Sequence, residues 1–196
     1  MSGMWAEALC LVVLVTQTSG EGSSVSYNDE FVNRLSTRLA NDGFLIQRAI
    51  EYATYKLDLI ATKVELSALK GNRVHVIVAT ATEVPTADGI ESFSESAYQY
   101  VRGNLSGLIQ PALQGPVRGQ LNLYVVPVTV SNAFSEEIKQ WIGKSIPAKH
   151  FMPFNYPILM SSSNGQIFMC RKTPFLGALP WKGLMKFVEQ QLSPPG

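Results

Sequence analysis

The run Val74-His75-Val76-Ile77-Val78-Ala79-Thr80-Ala81-Thr82 constrains this chain more than any other stretch. Apolar, largely β-branched residues fill both alternating sets, so a strand here must be covered on both faces. A second run, Leu121 to Val130, has the same character. Between the two, Pro85-Thr86 ends the first run, and Thr86 can cap a helix. That helix carries Ile90, Phe93, Ala97 and Val101 on one face and sets Asp88 and Glu91 near its N-terminus. Strand, helix and strand in this order predict parallel pairing through a crossover, the basic unit of an α/β domain.

The flanking segments extend the unit. Ser26 and Asp29 form a capping-box pattern, Phe31, Leu35 and Leu39 follow at four-residue spacing, and Gly43 stands where a C-cap belongs. Residues 44–69 read as two strands on the evidence of Tyr52, Thr54, Tyr55, Thr62, Val64 and the half-buried pattern Leu57-Asp58-Leu59-Ile60. Lys70-Gly71-Asn72 is a turn signal before the central run. Residues 103–119 hold four glycines and two prolines and are expected as a long loop. Pro127 points to an edge position or a bulge for the second strand. Ser135 caps a short helix through Ile138, Trp141 and Ile142. Tyr156–Met160 and Gln166–Cys170 pair as a hairpin across Ser163-Asn164-Gly165. Leu184, Phe187, Val188 and Leu192 make the apolar face of a last helix, with Lys182, Lys186 and Glu189 on its wet side. The expected order is α-β-β-β-α-β-α-β-β-α, a mixed sheet flanked by helices.

Apolar residues make up 46% of the 196 and charged residues 16%, so residues 26–196 can bury one α/β core and are not disordered. The net charge of +1 exerts no overall pull on nucleic acid or membrane. Its distribution is uneven. Residues 26–95 carry ten acidic and seven basic side chains, and residues 131–196 carry seven basic and three acidic ones. The basic C-terminal half suits an anionic ligand or a protein partner, unless it is an ordinary solvated surface. Two cysteines, Cys10 and Cys170, build neither a disulfide framework nor a zinc site, and no metal or cofactor is expected.

Residues 1–25 read either as an N-terminal extension or as a signal peptide. The apolar run ALCLVVLVT at 8–16 is too short to span a bilayer. It resembles the core of a signal peptide, with Thr18 and Gly20 at small-residue cleavage positions, but no Lys or Arg precedes it. The expected location is cytoplasmic, with a secreted or envelope-associated domain as the alternative. Asn104-Leu105-Ser106 is a formal glycosylation acceptor that chance alone would supply.

Gly43-Phe44, the segment Leu57-Asp58-Leu59-Ile60-Ala61, the central strand and the helix after Pro85 together resemble the restriction-endonuclease-like nuclease fold, PD-(D/E)xK. The segment LYVVPVTVSNAFSEEIKQWI is similar to the strand and helix of its Mrr-type branch. The likeness covers residues 29–168, and its motifs are short. It implies phosphodiester cleavage by an acidic residue, a second Glu or Gln on the central strand and a Lys two positions beyond. The carboxylates would hold Mg²⁺, which activates water. Asp58 matches the first position. The central strand offers no Glu, Gln or Lys before Glu83, so the resemblance implies a degenerate, inactive site. The plain alternative for Asp58 is a solvent-facing strand residue.

From residue 73 onward the order is also that of a thioredoxin-like βαβαββα domain behind a helical N-terminal extension. Tyr156-Pro157-Ile158-Leu159 is similar to that family's cis-proline strand. A helix over residues 44–69 would favour this alternative. Its redox chemistry needs a Cys-x-x-Cys where this chain has Glu83-Val84-Pro85-Thr86.

The remaining candidates are isolated. Cys170, among Ile167, Phe168 and Met169, reads as a buried thiol, although Arg171 and Lys172 beside it could raise its thiolate fraction. Arg171 and Lys172 precede the turn Thr173-Pro174-Phe175-Leu176-Gly177, which could receive an anion before a helix N-terminus. His150 lies in an aromatic, proline-rich loop with no nucleophile at a defined spacing. His75 reads as a satisfied core or edge residue rather than a base, and no basic–aromatic run typical of nucleic-acid binding is present. The expected function is a non-catalytic binding or assembly domain on a degenerate nuclease-like scaffold. The alternatives are an enzyme with a site near Cys170, Arg171 and His150, or a thioredoxin-like domain without its active site.

Overall fold

A computed structural model describes residues 26–66, 72–113, 120–144, 154–172 and 178–193. Helix α1 spans Tyr27–Asn41, with the Ser26 hydroxyl accepting the Asp29 N–H at 3.2 Å. It ends in a Schellman motif: Gly43, at φ +83°, donates to the Ala40 carbonyl, and Phe44 to the Leu39 carbonyl. Strands β1 (Leu45–Tyr52) and β2 (Tyr55–Glu65) form a hairpin, and β3 (Asn72–Ala81) pairs antiparallel with β2. The condition that would favour the thioredoxin-like order, a helix over residues 44–69, is not met, since 45–52 and 55–65 are strands.

Helix α2 runs from Ala87 to Ile109, and Thr86 caps it by accepting the Gly89 N–H at 3.1 Å. A 3-10 turn at Gln110–Ala112 follows. The expected loop over 103–119 is therefore corrected, since residues 103–109 are helical and 114–119 lie outside the described residues. Gly103 and Gly107 face open space on the outer side, while Val101 and Leu108 are buried on the inner side. Packing of that apolar face outweighs a glycine penalty of about 1 kcal/mol each.

Strand β4 (Leu121–Ser131) lies parallel to β3, followed by α3 (Glu136–Lys144), the short β5 (Phe154–Asn155), β6 (Ile158–Ser161), β7 (Ile167–Phe168) and α4 (Ala178–Leu192). The sheet is mixed and open, ordered β1-β2-β3-β4-β6-β7, with β5 also paired to β4. Helices α1 and α4 cover one face and α2 and α3 the other.

Pro127 sits in the centre of this sheet, opposite Val78, and not at an edge. The Val125 and Ser131 carbonyls both point toward the β5–β6 side, accepting Tyr156 N–H and Ser162 N–H. By the alternation of a parallel ladder Pro127 points the same way. There β5 has ended and β6 pairing has not begun, so no ladder bond needs the missing donor.

Candidate functional site

Strands β3, β4 and β6 all run parallel and end together, at Ala81, Ser131 and Ser161. In open α/β sheets this carboxyl end is where ligands bind. Helices α2 and α3 begin here because they follow β3 and β4. The N-terminus of α1 is tied to the same place by Asn28, whose side chain donates to the Thr82 carbonyl at 3.3 Å and accepts the Ser162 hydroxyl at 2.6 Å. Asn28, Ser131 and Ser162 are all buried, so this hydrogen-bonded cluster locks three chain segments together.

Asp58 lies at this end of β2 and is buried, which corrects its reading as a solvent-facing residue. The strand's alternation slips here: Leu57 and Ile60 both pack on the α2 side, while Leu59 and Ala61 face α1. Opposite, Ala49 of β1 adopts φ +53°, a left-handed conformation that costs energy for a residue with a Cβ. The slip turns the Asp58 carboxylate into the ladder. One oxygen accepts the Ala81 N–H at 2.8 Å, and the other meets the Lys56 ammonium at 2.9 Å. That hydrogen bond and the carboxylate's charge hold the Lys56 ammonium above its usual range. Thr80, one step beyond the pair Leu59–Ala79, donates its hydroxyl to the Lys56 carbonyl at 3.0 Å. Asp58 thus serves as a side-chain extension of the β2–β3 pairing.

Beside it is a cavity of about 280 Å³ lined by Lys56, Thr80, Thr82, Thr86, Thr129 and Phe93, among others. Thr129 is the register partner of Thr80. It is 3% exposed. The three helices that begin at this end of the sheet have acidic first turns: Asp29 and Glu30 in α1, Asp88 in α2, and Glu136 and Glu137 in α3. Among the described residues, no cluster of three or more His, Cys, Asp or Glu is arranged to hold a metal ion.

The other sequence candidates lie elsewhere. Cys170 is wholly buried in the core under α1 and α4, and its carbonyl accepts the Tyr156 hydroxyl at 2.7 Å. Burial pushes that phenol well above its usual range. Arg171, next in sequence, points outward and pairs with Glu189 at 3.4 Å, and Lys172 is exposed. The thiol lies in the core while both cations lie at the surface. The turn at 173–177 and His150 lie outside the described residues. Four strand spacings, about 19 Å, separate β2 with Asp58 from β7 beside Cys170. The fold does not bring Asp58 and Cys170 into one constellation.

His75 departs from its expected role as a satisfied core residue. It is 3% exposed, yet neither ring nitrogen has a hydrogen-bond partner among the described residues. The hydroxyls at 80, 82 and 129 were not singled out from the sequence. Their only signal is the polar ending of two otherwise apolar runs. Among the described residues no helix is long and apolar enough to cross a membrane. No protein-family model, no curated protein and no solved structure matches the chain.

Proposed function

We propose that this domain is a non-catalytic binding or assembly module on a degenerate nuclease-like scaffold. The observation that carries the reading is the state of Asp58, whose two oxygens are both engaged by the protein itself, one by Ala81 N–H and one by Lys56. A metal ion would have to compete with Lys56 and the Ala81 N–H for this carboxylate. Thr80 faces Asp58 and Thr82 lies two residues on, where nuclease chemistry would need a second carboxylate and a lysine. The order α1-β1-β2-β3-α2-β4, with three meandering strands before the first crossover, agrees with such a scaffold.

Electrostatics argue in the same direction. A nuclease cleft neutralises phosphates with cations, whereas the three helices that begin at this end of the sheet carry acidic first turns. The exposed cations Lys172, Lys182 and Lys186 instead favour an acidic partner on the C-terminal half. The test is incubation of the purified chain with single-stranded and double-stranded DNA in Mg²⁺ or Mn²⁺. No cleavage above background is expected. Metal-dependent cleavage that disappears in Asp58→Ala would overturn the reading.

A further inference from the structure

His75 projects from β3 onto the face covered by α4. Its ring lies between two aromatic rings, with the Phe187 centroid at 3.9 Å (19° between planes) and the Tyr124 centroid at 5.1 Å (13°). The imidazole is therefore a layer of the α4–sheet interface. Packed polar groups in such layers are usually hydrogen-bonded, because an unpaired buried donor or acceptor costs free energy. Both nitrogens of this ring are buried and have no hydrogen-bond partner among the described residues.

We propose that α4 is an acid-releasable helix with His75 as its trigger, in which protonation of the imidazole undocks α4 and uncovers the apolar face of the sheet beneath it.

The charges around the ring decide the direction. Glu65 on β2 is nearest, with a carboxylate oxygen 3.6 Å from Nε2, beyond hydrogen-bonding distance, and its side chain is 45% exposed. Against it stand Lys63, the register partner of His75 on β2, and Arg73 two residues back on β3. Lys63 donates to the Asp42 carbonyl at the end of α1. Tyr124 on β4 contributes a neutral phenol that burial holds protonated. On α4 itself, Lys182 and Lys186 face solvent, and Glu189 is engaged by Arg171. Two cations and burial thus oppose an imidazolium, with one partly hydrated carboxylate in its favour.

Desolvation first, then Arg73 and Lys63, push His75 down to about 3 in the folded chain. Undocked, the ring titrates near its ordinary value of about 6.5. Protons therefore bind the undocked form preferentially. Docking is fully favoured above about pH 6.5 and weakens about tenfold per pH unit below it, until the docked ring also titrates. α4 can respond separately because it is the last element described and belongs to no strand ladder.

The test is hydrogen exchange of the full chain by mass spectrometry at pH 7 and pH 5, corrected for intrinsic exchange rates. Protection of peptides within 178–192 should fall about thirtyfold between these pH values, while β3 and β4 keep theirs. In His75→Phe, which preserves the stack, α4 protection should not change with pH. Equal loss in wild type and His75→Phe, or no loss in wild type, would overturn the proposal. NMR titration of wild type keeps it falsifiable if the variant does not fold. The chain has two histidines, and a folded-state midpoint near 6.5 for the buried one would refute the trigger.

Discussion

Asp58 shows how one residue's chemistry depends on what claims its atoms. Its type and strand match a metal-binding role, but the Ala81 N–H and the Lys56 ammonium occupy its oxygens. Asp58→Ala would leave the half-buried Ala81 N–H unpaired and Lys56 without its partner, a loss of about 2 kcal/mol in a urea melt. Asp58→Asn keeps an oxygen for Ala81 and should lose only about half as much. Equal loss in both variants would mean that the charge, and not the ladder bond, matters. From the sequence Asp58 was visible as a candidate, but its burial was not. The slip at Leu57–Leu59 lies opposite Ala49, and nothing in the residue type of an alanine announces a left-handed backbone.

At the scale of elements, local rules did well wherever the cause was local. Ser26, Gly43, Thr86 and Ser135 all act as caps, because a cap depends on residues three to five positions away. The β1–β2 turn at Ala53-Thr54 was hidden, since it carries no Gly, Asn, Asp or Pro although Ala53 sits at φ +54°. The end of α2 was misread for the opposite reason. Gly103 and Gly107 looked like breakers but are helical residues with nothing within 4 Å of an added Cβ. The double substitution Gly103→Ala and Gly107→Ala should therefore stabilise the fold by about 1–2 kcal/mol, seen as a higher Tm. A lower Tm would show that these positions are not in a relaxed helix.

Across the whole molecule, α1 and α4 are joined by Arg38 as well as by apolar packing. Its guanidinium donates to the Ser193 carbonyl at 2.8 Å and the Gln191 carbonyl at 2.7 Å, capping the end of α4. Burial lowers the Arg38 pKa and the Asp42 charge raises it, and an arginine at this site stays protonated. Arg38→Ala should cost about 2 kcal/mol in thermal or urea unfolding. Arg38→Lys should recover less than half of that, because one ammonium does not reproduce the planar fork. Full rescue by lysine would reduce the contact to simple charge. With His75 under Phe187 at one point and Arg38 at its end, α4 is held by groups from α1 and β3, both distant in the chain.

The sequence by itself determined the α/β class, the order of the helices and main strands, the caps and the buried runs. Each of these follows from periods of two or 3.6 residues or from contacts within a turn. Tertiary structure alone decided that Pro127 could sit in a central strand, that Asp58 would be sealed into the ladder and that His75 would be stacked without a hydrogen bond. Those outcomes rest on partners far along the chain: 23 residues separate Asp58 from Ala81, and 134 separate Asn28 from Ser162. A residue's type sets what bonds it can make. The packing of elements brought together from distant parts of the chain sets which of them are left to make.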